Sequence, residues 1–154
     1  AVRYPRGSGS GVPTQKEMHM LPIGRGEIRR QGEKIALLSF GSMLTPCLAA
    51  AEELNATVVN MRFIKPLDDE LVASLAANHD LLVTVEENTI MGGAGSAVAE
   101  SLYKQKIYTK ILQLGLPDTF IDQGDHAQML ANCGLDKDGI IDSVNSTLSN
   151  GSLL

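Results

Sequence analysis

The sequence predicts an α/β fold of three layers, in which a mainly parallel β-sheet is covered by helices on both faces. Its apolar segments alternate between short, continuous runs and longer runs with helical periodicity. Continuous apolar runs are typical of strands that are buried on both faces, as in parallel sheets. Since parallel strands are joined by right-handed helical crossovers, this alternation predicts one helical layer above the sheet and one below it.

The predicted strands are apolar runs that end at a turn, a proline or a polar pair. They cover residues 35–40, 57–63, 81–85 and 111–114, and Glu86 and Glu87 are expected to end the third of these. A shorter segment at residues 27–30 is expected to pair as an edge strand with the strand that follows it, because Gly32 can turn the chain back.

The predicted helices follow the strands and carry their own start and stop signals. They cover residues 44–54, 68–77, 95–106, 125–132 and 138–148. Ser42 is expected to cap the first helix, and Pro46 limits where that helix begins, because proline fits only in a first turn. Gly134 is expected to adopt a left-handed conformation after the fourth helix.

The first part of the chain differs in composition from the rest. Residues 1–33 are enriched in glycine and proline, with six of the 15 glycines and three of the six prolines, so we interpret them as the tail of a preceding domain and an inter-domain linker. Residues 34–154 are interpreted as one α/β domain. Because the chain begins at Ala1 without an initiator methionine, we expect it to be part of a longer protein.

Composition argues against several classes of protein. A net charge of −5 is unlike the basic charge of nucleic-acid-binding modules. No apolar run approaches the ~20 residues of a membrane span, and no signal peptide is recognised. Cys47 and Cys133 are too isolated for a disulfide framework or a zinc site, so both are expected to be buried thiols. We therefore expect a cytoplasmic protein that binds neither nucleic acid nor membranes.

A glycine-rich turn at residues 91–95 lies between a predicted strand and a predicted helix. Backbone N–H groups at such a turn can bind an anion at the positive end of the helix dipole. The turn matches only part of a dinucleotide-binding fingerprint and follows the third strand instead of the first. We favour the alternative interpretation, in which these glycines let the helix begin tightly against the sheet.

The acidic and histidine side chains do not form a recognisable catalytic set. Glu86 and Glu87 are adjacent on a strand and face opposite sides, so they cannot act as a paired acid and base. His19, His79 and His126 are scattered and show no metal-ligand spacing. We therefore assign no catalytic, cofactor-binding or metal-binding residue, and expect Glu86 and Glu87 to be structural or interface residues.

Arg6 is the one candidate binding residue. Pro5 fixes the backbone before it and Gly7 allows the chain to turn away, which suits an arginine that binds a phosphate or carboxylate with two hydrogen bonds. A solvated linker arginine paired with a surface acid is the alternative. These residues alone do not decide between the two.

A resemblance to a known enzyme family covers nearly the whole chain. Six blocks occur in the family's order: AVRYPRG at 1–7, PIGRGE at 22–27, NATVVNMRFIKPLD at 55–68, VTVEEN at 83–88, GGAGS at 92–96 and GLPD at 115–118. They resemble the C-terminal domain, and the junction before it, of the 1-deoxy-D-xylulose-5-phosphate synthases. This family is transketolase-like and depends on thiamine diphosphate.

The resemblance implies an activity and a role for Arg6. The family condenses pyruvate with glyceraldehyde 3-phosphate, releasing CO2, for isoprenoid, thiamine and pyridoxal synthesis. The resemblance also implies that thiamine diphosphate and Mg²⁺ are bound by upstream domains and that the enzyme is a homodimer. It implies as well that this chain alone is inactive. Arg6 matches the family's arginine that contacts the phosphate of glyceraldehyde 3-phosphate, whereas Arg3 has no such match and is interpreted as structural.

The sequence departs from the family pattern in two places, and other functions stay open. Asn60 stands where the family usually has Asp, and Asp125-His126-Ala127 replaces a more acidic or Gln-rich stretch. The first alternative is a free-standing phosphate- or nucleotide-binding module that uses the glycine-rich turn. The second is an interaction domain in which Glu86 and Glu87 contact a partner.

Overall fold

The computed structural model describes residues 1, 11, 16, 17 and 19–150, and the side chain of residue 150 is not described. Its elements, in chain order, are β1 (Glu27–Arg30), β2 (Ile35–Ser39), a 3-10 helix (Gly41–Met43), α1 (Leu44–Leu54), β3 (Thr57–Asn60), α2 (Asp69–Asn78), β4 (Leu81–Thr89), α3 (Ala94–Lys104), β5 (Lys110–Leu116), α4 (His126–Asn132) and α5 (Lys137–Asn150).

The five strands form one sheet in the order β1-β3-β2-β4-β5. The pairs β2–β3, β2–β4 and β4–β5 are parallel, and only β1 runs antiparallel to its neighbour, β3. The predicted mainly parallel sheet is therefore confirmed. Helices α1 and α5 pack on one face, and α2 and α3 pack on the other, which confirms the three-layer α/β/α architecture.

Strand β1 is an edge strand as predicted, but the partner expected for it is wrong. It pairs with β3, whereas the sequence suggested a hairpin with the strand that follows it. The reason lies at Gly32, whose backbone N–H donates to Oγ1 of Thr57 at 3.0 Å. This contact carries the chain across the start of β3, and β2 then enters the sheet on the far side of β3.

Two strands end three or more residues away from their predicted ends. Strand β4 continues past residue 85 to Thr89, where it pairs again with β5 at Leu116 after a shift in register that follows Val85. Strand β3 ends at Asn60, where the side-chain oxygen accepts a hydrogen bond from the backbone N–H of Arg62 at 3.3 Å. Arg62 has a φ of +58°, so the chain turns out of the sheet there.

Two helices begin directly after a residue whose side chain caps the helix. Asp68 accepts from the N–H of Leu71, and Asp125 accepts from the N–H of Gln128, so α2 and α4 each begin one residue later than predicted. The prediction that Ser42 caps α1 is wrong, because Met43 is the capping residue and offers no side-chain bond. Pro46 lies in the first turn of α1 as expected.

Gly134 has the left-handed conformation predicted for it, with a φ of +68°. Gly32 is constrained for a different reason, because it lies against the backbone before β3. A Cβ added to Gly32 would lie 2.2 Å from the carbonyl carbon of Ala56.

Replacing Gly32 with Ala should destabilise the fold, because the obstructing atoms are backbone and cannot rotate away. We expect Gly32→Ala to lower the free energy of unfolding by about 3 kcal/mol in urea titrations. Gly124 is a matched control, because the nearest atom to its added Cβ is Cγ of Met129 at 3.6 Å. Gly124→Ala should change stability by less than about 0.5 kcal/mol. Equal effects of the two variants would contradict the packing derived for Gly32.

The two cysteines are free thiols in different surroundings. Cys47, a residue of α1, is fully buried in the core, while Cys133 is half-buried, so the expected burial is complete only for Cys47. Burial raises the pKa of the Cys47 thiol to about 12, because the thiolate would lose its hydration.

This raised pKa makes stability depend on alkaline pH. An unfolded cysteine titrates near roughly pH 8.5, so the contribution of Cys47 is fully present below that pH and is lost as pH rises towards about 12. Between about pH 8 and pH 10, the unfolding free energy of the wild type should fall by about 1–2 kcal/mol more than that of Cys47→Ala. Parallel pH profiles of the two proteins would show that the thiol is not excluded from water.

Candidate functional site

The carboxyl ends of β2 and β4 lie side by side at a point where the connections to the next strands run to opposite sides of the sheet. Strand β2 connects through α1 to β3 on one side, and β4 connects through α3 to β5 on the other. In open α/β sheets, ligand sites form in the crevice at such a switch point. The residues after β2 and at the end of β4 are therefore the structural candidates for a site.

Glu86 occupies the start of helix α3. It is 3% exposed, and its carboxylate accepts from the N–H of Ala94 at 2.7 Å and from the N–H of Gly95 at 2.8 Å. A negative charge is favoured here because the first N–H groups of a helix lack partners within the helix. Glu86 thus joins the end of β4 to α3 from inside the protein.

The glycines of the turn make this contact sterically feasible. A Cβ on Gly93 would lie 2.4 Å from Oε2 of Glu86, and one on Gly95 would lie 2.6 Å from Oγ1 of the buried Thr84. The preferred interpretation, that these glycines bring the helix close to the sheet, is confirmed. An anion could use the same amides only by displacing Glu86, so the geometry argues against the turn as a phosphate site.

Glu87 points to the opposite side of β4 and joins two further elements. The Ser42 hydroxyl donates to Oε2 of Glu87 at 2.5 Å, and Nε2 of His126 lies 2.8 Å from Oε1. Because an ionised carboxylate only accepts, Nε2 carries the proton in this contact. The 3-10 helix, β4 and α4 are therefore connected through one carboxylate.

This arrangement does not have the geometry of a nucleophilic triad. A serine nucleophile needs a base that accepts its proton and a third group that orients the base. Here Glu87 lies between Ser42 and His126, so His126 has no contact with the serine hydroxyl. The three side chains hold the sheet edge together and do not activate Ser42.

A cleft of about 280 Å³ opens beside this connection. Its wall is mainly apolar, and Glu87 and His126 lie at its polar end; the full lining is Glu87, Leu116, Ile121, Gln123, His126, Met129 and Leu130. The cleft presents a carboxylate and, apart from His126, no basic side chain in its lining. It is therefore poorly suited to a phosphate group.

The entry of the chain into the fold is fixed by Asp68. Besides capping α2, its carboxylate accepts from the N–H of Gly26 at 2.9 Å and from Nη1 of Arg25 at 3.3 Å. Arg25 also donates to Glu70, and this hydrogen bond and charge raise the pKa of the guanidinium. Arg6 itself lies outside the described residues.

The histidines do not converge. His79 ends α2, where Nδ1 contacts the carbonyl of Leu75 and Nε2 contacts the Thr57 hydroxyl. His19 is exposed before β1. In the described part of the chain, no group of three or more His, Cys, Asp or Glu side chains is arranged to hold a metal ion. Among the same residues, no helix has the length and apolarity to span a membrane.

Sequence reasoning missed the convergence of Ser42, Glu87 and His126. It treated them separately, as a helix cap, a strand end and a helix start. Their shared feature was available, since each follows or ends a parallel strand and therefore lies at the same sheet edge. The expectation that Glu86 and Glu87 face opposite sides is confirmed.

The buried carboxylate of Glu86 should stabilise the fold more than the partly exposed carboxylate of Glu87. Glu86→Gln keeps the shape but removes the charge that two N–H groups share, so we expect a loss of about 2 kcal/mol in urea unfolding. Glu87→Gln is the matched control one residue away, with 23% of the Glu87 side chain exposed, and should cost less than about 1 kcal/mol. If Glu87→Gln were as destabilising as Glu86→Gln, the prediction that Glu86 contributes more to stability would be wrong.

Comparison with known proteins agrees with this architecture. The profile of the family "Transketolase, C-terminal domain" matches residues 24–140. The 1-deoxy-D-xylulose-5-phosphate synthase of Nitrosospira multiformis is 75% identical over 144 residues, which are 94% of this chain and 24% of that protein. The enzyme of the same name from Nitrosomonas europaea is 70% identical over 149 residues, which are 97% of this chain and 24% of that protein.

A solved structure shares the fold at lower identity. Its description is "Split gene transketolase, inactive beta4 tetramer". It is 30% identical to this chain with a TM-score of 0.77, and the match covers 84% of this chain and 44% of that chain. This chain spans about a quarter of the length of the curated relatives above. Its resemblance to the 1-deoxy-D-xylulose-5-phosphate synthases is confirmed, and the chain belongs to the family of transketolase C-terminal domains.

Proposed function

We propose that this chain is the C-terminal part of a 1-deoxy-D-xylulose-5-phosphate synthase, a transferase that condenses pyruvate with glyceraldehyde 3-phosphate and releases CO2. The observation that carries the proposal is 75% identity, over almost the whole chain, to an enzyme of that name. The product would enter isoprenoid, thiamine and pyridoxal synthesis. The enzyme would act in the cytoplasm.

The chain's own part in this reaction would be support and substrate binding. Thiamine diphosphate would supply the carbanion and the electron sink of the reaction. As the family resemblance implies, we assign thiamine diphosphate and its Mg²⁺ ion to upstream domains. The described domain would buttress the cofactor-binding domain and contribute to a homodimer.

The isolated chain is expected to be inactive. Within the described residues, the histidines lie apart and the serine of the Ser42–Glu87–His126 connection lacks a base. The split gene transketolase chain, which is similar over 84% of this chain, is itself described as inactive. Turnover of pyruvate and glyceraldehyde 3-phosphate by the 154-residue chain alone would contradict the proposal.

The geometry favours this proposal over a free-standing phosphate- or nucleotide-binding module. Such a module would need open amides at the start of α3, and those of Ala94 and Gly95 donate to Glu86. The neighbouring cleft adds a second carboxylate, Glu87, instead of basic groups.

The proposed role of Arg6 predicts a selective kinetic defect. In the enzyme restored to the length of its relatives, Arg6→Ala should remove a charge-assisted bond to the phosphate of glyceraldehyde 3-phosphate. We expect a loss of about 1.5–3 kcal/mol, or roughly a 10- to 160-fold rise in KM for this substrate, with KM for pyruvate unchanged.

Arg3→Ala is the matched control, because Arg3 lies in the same segment and does not match the family's phosphate-binding arginine. It should leave both KM values within about twofold of the wild type. An unchanged KM for glyceraldehyde 3-phosphate in Arg6→Ala would refute the assignment of Arg6, whereas the assignment of the domain would stand.

A further inference from the structure

The cleft beside the Ser42–Glu87–His126 connection has no part in the proposed function. It measures about 280 Å³, which is close to the lower end of the roughly 300–1,000 Å³ that small-molecule sites usually have. It lies at the carboxyl ends of β4 and β5, the edge where ligands bind in open α/β sheets. Its volume suits a molecule with one ring or a short alkyl chain.

The wall of the cleft is apolar and rests on the core. Leu116 ends β5 and Leu130 belongs to α4, and both pack against the core cluster that contains α5 residues. Ile121 is 39% exposed and Met129 is partly exposed, so apolar area remains available to a ligand there. A ligand with an apolar body would gain free energy by covering this area.

The carboxylate of Glu87 at the polar end of the cleft is oriented from two sides. The Ser42 hydroxyl donates to Oε2, and Nε2 of His126 donates to Oε1. A carboxylate can accept about four hydrogen bonds, so these two contacts orient Glu87 without using its whole capacity as an acceptor. Because its rotamer is already fixed, a ligand that binds it does not bear the entropic cost of ordering the side chain.

The loop between β5 and α4 contributes to the cleft and is acidic. It carries Asp118, Asp122 and Asp125, and residues 116–128 include no Lys or Arg. Within the described part of the chain, none of the three aspartates forms an ion pair. Together with Glu87 they give this end of the domain a negative potential, which attracts cations and repels anions.

We propose that this cleft, which we call the Glu87 cleft, binds a small organic cation, namely an amine or amidine on one ring or a short alkyl chain. The cationic group donates to the Glu87 carboxylate, and the apolar body lies against Ile121 and Met129. The side-chain oxygen of Gln123, which also lines the cleft, is a further acceptor for the cationic group. Hydrogen bonds between a cation and a carboxylate are stronger than neutral ones, so the charge supplies the selectivity.

Other ligands fit the Glu87 cleft less well. A phosphate or carboxylate would meet the charge of Glu87, and the described lining holds no Lys or Arg to compensate. A metal ion would lack ligands, because no three His, Cys, Asp or Glu side chains converge in the described part of the chain. A second cleft, of about 220 Å³ at the other end of the sheet, carries both signs of charge on Glu33, Lys34 and Asp80, so it does not select a cation.

The test is a titration of the ¹⁵N-labelled 154-residue chain with three probes of nearly the same shape. Benzamidine is a cation, benzamide is neutral and benzoate is an anion. We expect benzamidine to bind saturably with a Kd below about 1 mM and to shift the amide resonances of Leu116, Gln123 and Met129. Benzamide should bind at least about tenfold more weakly, and benzoate should not bind. Benzamidine should bind more weakly at high salt, because salt screens the acidic loop.

Three variants separate the charge from the apolar wall. Glu87→Gln should weaken benzamidine binding at least about tenfold and change benzamide binding by less than about threefold. Glu100→Gln is the matched control, because it removes the same charge from an exposed position of α3 on the other face of the sheet, and it should leave binding unchanged. Ile121→Ala should weaken benzamidine and benzamide by a similar factor, because it removes apolar contact area alone.

The outcomes that would overturn the proposal are specific. They are a Kd for benzamidine above about 1 mM, equal binding of benzamide or benzoate, and an unchanged affinity of Glu87→Gln for benzamidine. Resonance shifts confined to residues outside the cleft would also overturn it. Because these titrations measure binding to this chain and not turnover, their failure would leave the proposed reaction and the role of Arg6 untouched.

Discussion

The buried carboxylate of Glu86 fixes the arrangement of the carboxyl edge of the sheet. Leaving a charge 3% exposed is costly unless it is compensated, and here the compensation comes from the N–H groups of Ala94 and Gly95. The bonds cannot form unless α3 begins directly against β4, and this requires Gly93 and Gly95. The contact of Glu86 therefore determines where α3 begins and requires glycine at positions 93 and 95. It also fills the place at the start of α3 where an anion would bind.

Glu86 and Glu87 point to opposite faces of the sheet at its carboxyl edge. Glu87, the next residue, turns to the other side of β4 and holds the 3-10 helix and α4 through Ser42 and His126. The switch point, which often binds ligands in open α/β sheets, is thus occupied by side chains of the protein itself. A domain built in this way fits the support role that is proposed above.

The fold could be read from local patterns, whereas contacts between distant segments could not. The apolar runs at β2, β3, β4 and β5 predicted the four parallel strands, and Pro46 and Gly134 marked helix boundaries correctly. The partner of β1 was missed because it depends on Gly32 packing against Ala56, far along the chain. The switch-point contacts were missed because Ser42, Glu87 and His126 were considered separately, although each follows or ends a parallel strand. Arg6 was identified from resemblance and lies outside the described residues.

The most direct test of the role of Glu86 observes the two amides that it binds. The ¹⁵N-labelled chain would be titrated with ADP, NAD and inorganic phosphate while the amide resonances of Ala94 and Gly95 are followed. If Glu86 permanently fills the start of α3, these resonances will not move up to about millimolar ligand. Saturable shifts of both amides at micromolar ligand would show that the turn is an open anion site, and would contradict the account of this domain as a support.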